Sequence, residues 1–239
     1  MIREPIFSAY SASDILGNGY AVLQLDHILG QELASFLPFF DRLAPDTYLP
    51  PGLGRRFRAY GVASVGVRDL IWTKPAFFEQ SKAVNQLVGG FRRTFHSLDD
   101  GLITATPLET LAFGFADLHR SLLGGGRVEI GVHMIRTSCS SEGPAFPSPE
   151  GIHQDGYAAI SMLLVARRNI APGGGVSEIF SGAGRPFARS CLTDPGDVLW
   201  LDDTRLLHSV TPFQPANLSL PACRDVLIFT FGPSIGRES

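Results

Sequence analysis

Val128-Glu-Ile-Gly-Val-His-Met-Ile-Arg136 is where the apolar period of this chain changes from helical to two. On a strand, successive side chains point to opposite faces. Val128, Ile130, Val132, Met134 and Arg136 therefore share one face, and Glu129, Gly131, His133 and Ile135 the other. Upstream, the spacing is three and four. A short apolar strand at residues 20–25 leads to Asp26, a helix N-cap, and then to the stripe Leu29, Leu33, Phe36, Phe40 and Leu43, ended by Pro45, Pro50 and Pro51. A second helix is expected from Pro75, with the stripe Phe77, Val84, Leu87, Val88, Phe91 and Phe95, weakened at Gly89-Gly90. Thr106-Pro-Leu-Glu109 reads as a third helix start, with Thr106 as cap and Glu109 closing a capping box. Leu108, Leu111, Phe115, Leu118 and Leu122 follow, and Gly124-Gly-Gly126 ends it.

Downstream, short strands are expected near residues 153–166, 176–180, 197–201, 208–213 and 224–231, separated by turn signals such as Asp194-Pro-Gly196. Helices first and strands afterwards predict an α+β domain with a β-sandwich or barrel core. The 239 residues make one domain, with a helical part at about 1–126 and a strand part at about 127–239. A net charge of -3 argues against nucleic acid as the main partner. The longest apolar run, near residues 158–166, is half of the ~20 residues a membrane span needs. Three scattered cysteines, Cys139, Cys191 and Cys223, and no signal-peptide pattern point to reduced thiols in the cytoplasm.

The chemistry centres on Pro149-Glu-Gly-Ile-His-Gln-Asp155. On a strand, His153 and Asp155 would present an imidazole and a carboxylate side by side, and two histidines with one carboxylate is the ligand set of non-haem Fe(II) oxygenases. A pair this short is weak alone, but His208, after the strand at residues 197–202, offers a second histidine. His27, His96, His119 and His133 are competitors, for which core, surface or helix-end roles suffice. Arg224 opens the last strand on the face of Val226, Ile228 and Thr230. An arginine turned into an apolar interior is costly unless it meets an anion, and the far carboxylate of 2-oxoglutarate is a candidate, a rim ion pair the alternative. The loop at residues 140–149 is a candidate lid.

Five motifs in this order resemble the bacterial isoleucine dioxygenase family: residues 149–156, 169–174, 195–197, 203–212 and Arg224-Asp225. Residues 55–60, Gln80-Ser-Lys-x-x-Asn85, Gly89-Gly90 and Arg92 extend the likeness into the N-terminal half. The resemblance implies a double-stranded β-helix, or jelly roll, flanked by helices. It implies a 2-oxoglutarate-dependent dioxygenase that uses Fe(II) and O2 to hydroxylate an aliphatic carbon of a free L-amino acid, releasing succinate and CO2. His153, Asp155 and His208 would then be the iron ligands and Arg224 the 2-oxoglutarate anchor. Wider relatives carry a Ser or Thr two residues after this arginine; here Val226 stands there, so that hydrogen bond must come from elsewhere. Retention of Asp155 argues against halogenation. Arg136, then Arg58 and Arg56, are candidates for the substrate carboxylate, with Gln80 and Asn85 orienting the substrate. Three readings stand beside this one: the same chemistry on another small or carrier-tethered substrate, a non-catalytic ligand-binding jelly roll, and zinc hydrolysis.

Overall fold

The computed structural model describes residues 5–75, 77–182 and 184–232. In chain order these form α1 (Ala12–Asn18), β1 (Tyr20–Gln24), α2 (His27–Glu32), a 3₁₀ turn (Leu33–Phe36), α3 (Leu37–Phe40), β2 (Arg55–Val65), β3 (Leu70–Thr73), β4 (His96–Ser97), α4 (Asp100–Ile103) and α5 (Thr106–Leu123). There follow β5 (Val128–Cys139), β6 (Ala159–Arg168), β7 (Ser177–Phe180), β8 (Ala188–Ser190), β9 (Asp197–Leu201), β10 (Leu207–Val210) and β11 (Ala222–Phe231). One sheet runs β1-β9-β6-β11-β5-β2-β3, with β4 beside β2, and a smaller sheet runs β10-β7-β8.

The alternation at residues 128–136 sorts two cores. Val128, Ile130, Val132 and Met134 of β5 join Leu227, Phe229 and Phe231 of β11 beneath the helices. Helix α5 lays Leu108, Leu111, Phe115, Leu118 and Leu122 on this face, and Phe115 stacks on Phe229 at 4.2 Å between centroids. Burying each such side chain is worth about 1.5–3 kcal/mol. On the opposite face, Ile135, Ile160, Met162, Leu164, Leu199 and Val226 pack against Ile179 and Val210 of the smaller sheet. The fold is α+β, a double-stranded β-helix with helices on one side. The sequence division near residue 126 does not separate two bodies, because β1 pairs with β9 and β2 with β5 across it.

The expected helix from Pro75 does not form; in its place a run of turns walls the interior. Side chains compete with the helical ladder there: Ser81 Oγ accepts from Val84 N, and Asn85 Oδ1 accepts from Leu87 N and Val88 N. Helix α5 begins at Thr106, with Ala105 as its cap and no side-chain capping bond. The earlier stripe, Leu29 to Phe40, is broken by a 3₁₀ turn ahead of Pro38. The candidate lid is tied down. Ala145 exchanges both backbone bonds with Phe213, Phe146 N donates to Leu53 O, and Val210 N donates to Ser148 Oγ.

Candidate active site

His153 and Asp155 do not lie on a regular strand. His153 forms a lone antiparallel bridge with His208 of β10: His153 N donates to His208 O (3.0 Å) and His208 N to His153 O (2.8 Å). Residues directly opposite in such a bridge send their side chains the same way, and the two rings lie 4.3 Å apart. Asp155 Oδ2 is 3.5 Å from His208 Nε2, and Oδ1 is 3.9 Å from His153 Nε2. One donor atom from each of the three residues lies within 4.8 Å of the others. With bonds of ~2.1 Å, adjacent donors around one ion sit roughly 3 Å apart, so a small contraction of this set would enclose a cation. His153 Nδ1 is 2.9 Å from Gly151 O and donates to it, which turns the Nε2 lone pair toward the centre.

The electrostatics suit a cation. Burial by itself would push the Asp155 carboxyl up, but the His208 hydrogen bond and the neighbouring histidines hold it well below the usual carboxylate range. His208 moves the other way: burial would lower it, and the hydrogen bond and charge of Asp155, with Asp203 and Glu150, raise it above 6.5. Both shifts favour positive charge at this point.

Asp203 organises the loop, a role the sequence did not reveal. Its buried carboxylate accepts from Asp155 N (3.0 Å), Gly156 N (2.7 Å) and Tyr157 N (2.9 Å), and Gln154 Nε2 donates to its carbonyl (2.6 Å). These bonds replace strand pairing for residues 154–157. Gly156 has φ +83°, and a Cβ there would meet Val84 Cγ2 at 3.0 Å.

Beside Asp155 opens a cleft lined by Arg56, Arg58, Gln80, Asn85, Arg93, His133, Phe78, Ile135, Glu150 and Tyr157. Arg58 Nη2 donates to His133 Nδ1 (2.7 Å), and the His133 ring stacks on Tyr60 at 4.4 Å. Burial, then Arg58, pushes His133 well below its ordinary range, so it is neutral, and with Nδ1 accepting, its proton is on Nε2. Burial, then Arg56 and Arg93, lowers Arg58 to about 9. Arg93 Nη2 donates to Gln80 Oε1 (2.6 Å), and Gln80 Nε2 donates to Asp155 O (3.0 Å), joining this guanidinium to the loop of the triad. Asn85 Nδ2 donates to the same Gln80 oxygen (3.3 Å). Arg56 sits 3.7 Å from Asp46. Among the described residues, neither Arg58 nor Arg93 has a carboxylate within 4.0 Å, and the Nε of each is buried without a partner, as is Glu150 Oε2. His133 and Arg93 were not singled out for this role by the sequence: one read as a competitor histidine, the other lay in the helix that does not form.

Arg136, the first candidate for a substrate carboxylate, lies elsewhere. It faces the helix side of the sheet, where Nε and Nη2 bond Asp225 (2.6 and 2.8 Å) and Nη1 bonds Asp41 (2.6 Å). Strand parity decides this: Arg136 pairs with Asp225, on the face of Leu227. Removing one partner of such a buried pair costs about 3–5 kcal/mol. Asp225→Ala should lower unfolding free energy by that amount in urea titrations while leaving the KM for substrate unchanged.

Arg224 is 3% exposed, on the interior face with Val226. It donates to Met162 Sδ (2.8 Å), its Nε is buried without a partner, and burial followed by the charge of Arg167 lowers it to about 10.

A 2OG-Fe dioxygenase family model matches residues 37–230. The chain belongs to the 2OG-Fe dioxygenase family. Members use Fe(II), 2-oxoglutarate and O2, and the two-histidine, one-carboxylate donor set of this dioxygenase fits such an ion. The expected likeness to isoleucine dioxygenases is also found. A 3(1)-hydroxy-L-isoleucine 4-dioxygenase of Pantoea ananatis is 27% identical over 206 residues, covering 84% of this chain and 81% of the relative. An L-isoleucine-4-hydroxylase of Bacillus thuringiensis is 27% identical over 188 residues, covering 74% of each. The crystal structure of a bsmA homolog from Methylobium petroleophilum superposes with a TM-score of 0.80 at 28% identity, covering 96% of this dioxygenase and 94% of that chain. The structure of IDO from Bacillus thuringiensis has a TM-score of 0.72 at 19% identity, covering 92% and 96%, and shares the fold. No helix of the described residues is long and apolar enough to cross a membrane.

Proposed function

We propose that this dioxygenase hydroxylates an aliphatic carbon of a free L-amino acid. The observation that carries the reading is the pair of buried guanidiniums, Arg58 and Arg93, in the cleft beside Asp155 without a carboxylate of their own. A buried arginine in that state is stabilised by an incoming carboxylate through paired hydrogen bonds. Two relatives carry isoleucine or hydroxyisoleucine in their names, which fits an α-carboxylate here.

Each residue then has a task. His153, Asp155 and His208 hold Fe(II), and Arg224 holds the far carboxylate of 2-oxoglutarate. The bound metal with 2-oxoglutarate and O2 supplies the oxidising power to replace an unactivated C–H with C–OH, with succinate and CO2 as co-products. Arg58 and Arg93 take the substrate α-carboxylate, and His133 Nε2–H adds a neutral donor from the same wall. Glu150 Oε2 faces the substrate ammonium. Gln80 and Asn85 hold Arg93 at a fixed distance from the Asp155 loop, and Arg56 stays with Asp46. Phe78, Ile135 and Ile228 line the cleft with apolar surface that excludes water from the side chain to be oxidised. Three free cysteines and an Fe(II) requirement accord with a reducing cytoplasm.

The test is succinate release and product mass across the twenty amino acids, with Fe(II), O2 and 2-oxoglutarate. At least one free amino acid should gain one oxygen atom in step with succinate. Arg58→Met should raise its KM by about tenfold or more, the worth of one charge-assisted hydrogen bond. Uncoupled 2-oxoglutarate consumption with no amino acid oxidised would overturn the reading.

A further inference from the structure

Residue 226 supplies no hydroxyl beside Arg224, and three groups around that arginine answer the gap. Arg167 of β6 is the direct cross-strand partner of Arg224 in β11, so the two side chains share the interior face. Arg167 Nη2 donates to Gly174 O (2.7 Å), while its Nη1 is buried without a partner. A Cβ placed on Gly175 would lie 2.7 Å from Arg167 Nη1 and 3.7 Å from Arg224 Cδ, so both side chains converge on this stretch of backbone. Two residues on, Ser177 is 1% exposed and its Oγ has no partner. Ser177 pairs with Val210 and Ile179 with His208, so the hydroxyl lies on the interior face, two rows from the metal ligand.

Two like charges placed together in an interior are unfavourable without an anion. Among the described residues, neither guanidinium has a carboxylate within 4.0 Å. Two strand rows span roughly 7 Å, which matches a five-carbon diacid chelated to the metal at its keto end. We propose that Arg167 and Ser177 complete the receptor for the far carboxylate of 2-oxoglutarate, with Arg224 as the first guanidinium. The inference rests on reading Arg224 as the anchor. It assigns the hydroxyl absent at 226 to a different strand, and it makes the anchor a clamp of two guanidiniums.

The test uses full-length enzyme loaded anaerobically with Fe(II), and calorimetric titration with 2-oxoglutarate and with 2-oxopentanoate, which has the same chain without the far carboxylate. Arg167→Gln should weaken 2-oxoglutarate by about ten- to a hundredfold and Ser177→Ala by about tenfold, the range for hydrogen bonds to a charged group. Both variants should bind 2-oxopentanoate within about twofold of wild type, since the lost bonds are to a group it lacks. Arg167→Lys should recover part of the loss. If Arg167→Gln and Ser177→Ala bind 2-oxoglutarate as wild type does while Arg224→Gln does not, the clamp is wrong and the single anchor stands. Equal weakening of both acids would also overturn it, since that marks general damage to the interior. Equal affinity of the wild-type enzyme for the two acids would instead remove the underlying anchor.

Discussion

Asp155→Asn should give a folded protein that no longer retains Fe(II) and has no measurable turnover. The substitution keeps the side-chain shape but removes the anionic donor of the set. Residues outside the ligand set typically change metal affinity by 10–100-fold when replaced, so loss of a ligand should exceed about 100-fold. Anaerobic Fe(II) binding measures this directly, and wild-type affinity in the variant would eliminate Asp155 as a ligand.

A pH series sharpens the same test. Binding a cation requires His208 to give up the proton that Asp155 helps hold, and His208 is raised above 6.5. Affinity should therefore fall as pH drops below that raised value, by about tenfold per unit for one displaced proton. Without metal the signs differ for the two partners. Asp155 is depressed below 3.8, so its stabilisation is complete above 3.8 and lost as pH falls through the folded value. His208 is raised, so its stabilisation is complete below 6.5 and lost as pH rises through the folded value. The metal-free pair thus contributes most between about pH 4 and 6.5, where metal is bound less well than at higher pH. The gain in melting temperature on adding Fe(II) should accordingly grow from pH 6 to pH 8.

How much of this was legible follows from how local each signal is. The alternation at residues 128–136 and the stripe on α5 depend on one element each, and both appear as the period predicts. Arg224 could be placed in the interior for the same reason, since strand parity fixes its face. Parity put Arg136 on the face of Val132 and Met134; what it could not supply was that this face turns to the helices, nor Asp225, aligned only once β5 and β11 pair. The segment after Pro75 failed because an apolar stripe does not weigh side chains that bond to the backbone. Ser81 and Asn85 do so here, and the same turns bring Gln80 and Arg93 to the cleft. His133 was obscured by its strand, where a buried histidine reads as core until β2 pairs with β5 and brings Arg58 diagonally within reach of it.

Asp203→Asn should damage stability and metal binding together. Two N–H donors, from Gly156 and Tyr157, converge on Oδ2, and the Asp155 N–H meets Oδ1. An asparagine has one oxygen, so either amide orientation turns an NH2 group toward at least one donor. Burial, then the charge of Asp155, pushes the Asp203 carboxyl up, and His208 and the backbone donors counter that push only in part. Hydrogen bonds to a charged acceptor are worth about 1.5–3 kcal/mol each and do not add fully, which sets the expected loss at about 3–5 kcal/mol in urea titrations. Because Asp155 N is one of the donors, a ligand loses its position as well, and Fe(II) should bind about 10–100-fold more weakly. Asp202→Asn is the control. Asp202 Oδ1 serves the Thr204 turn, accepting from its N (3.1 Å) and Oγ1 (2.6 Å). An asparagine keeps one oxygen for both and gives up only the charge facing Arg205 (3.7 Å), so the change should cost about 1 kcal/mol or less and leave Fe(II) affinity unchanged. Wild-type Fe(II) affinity in Asp203→Asn would show that the triad holds its geometry without the carboxylate behind it.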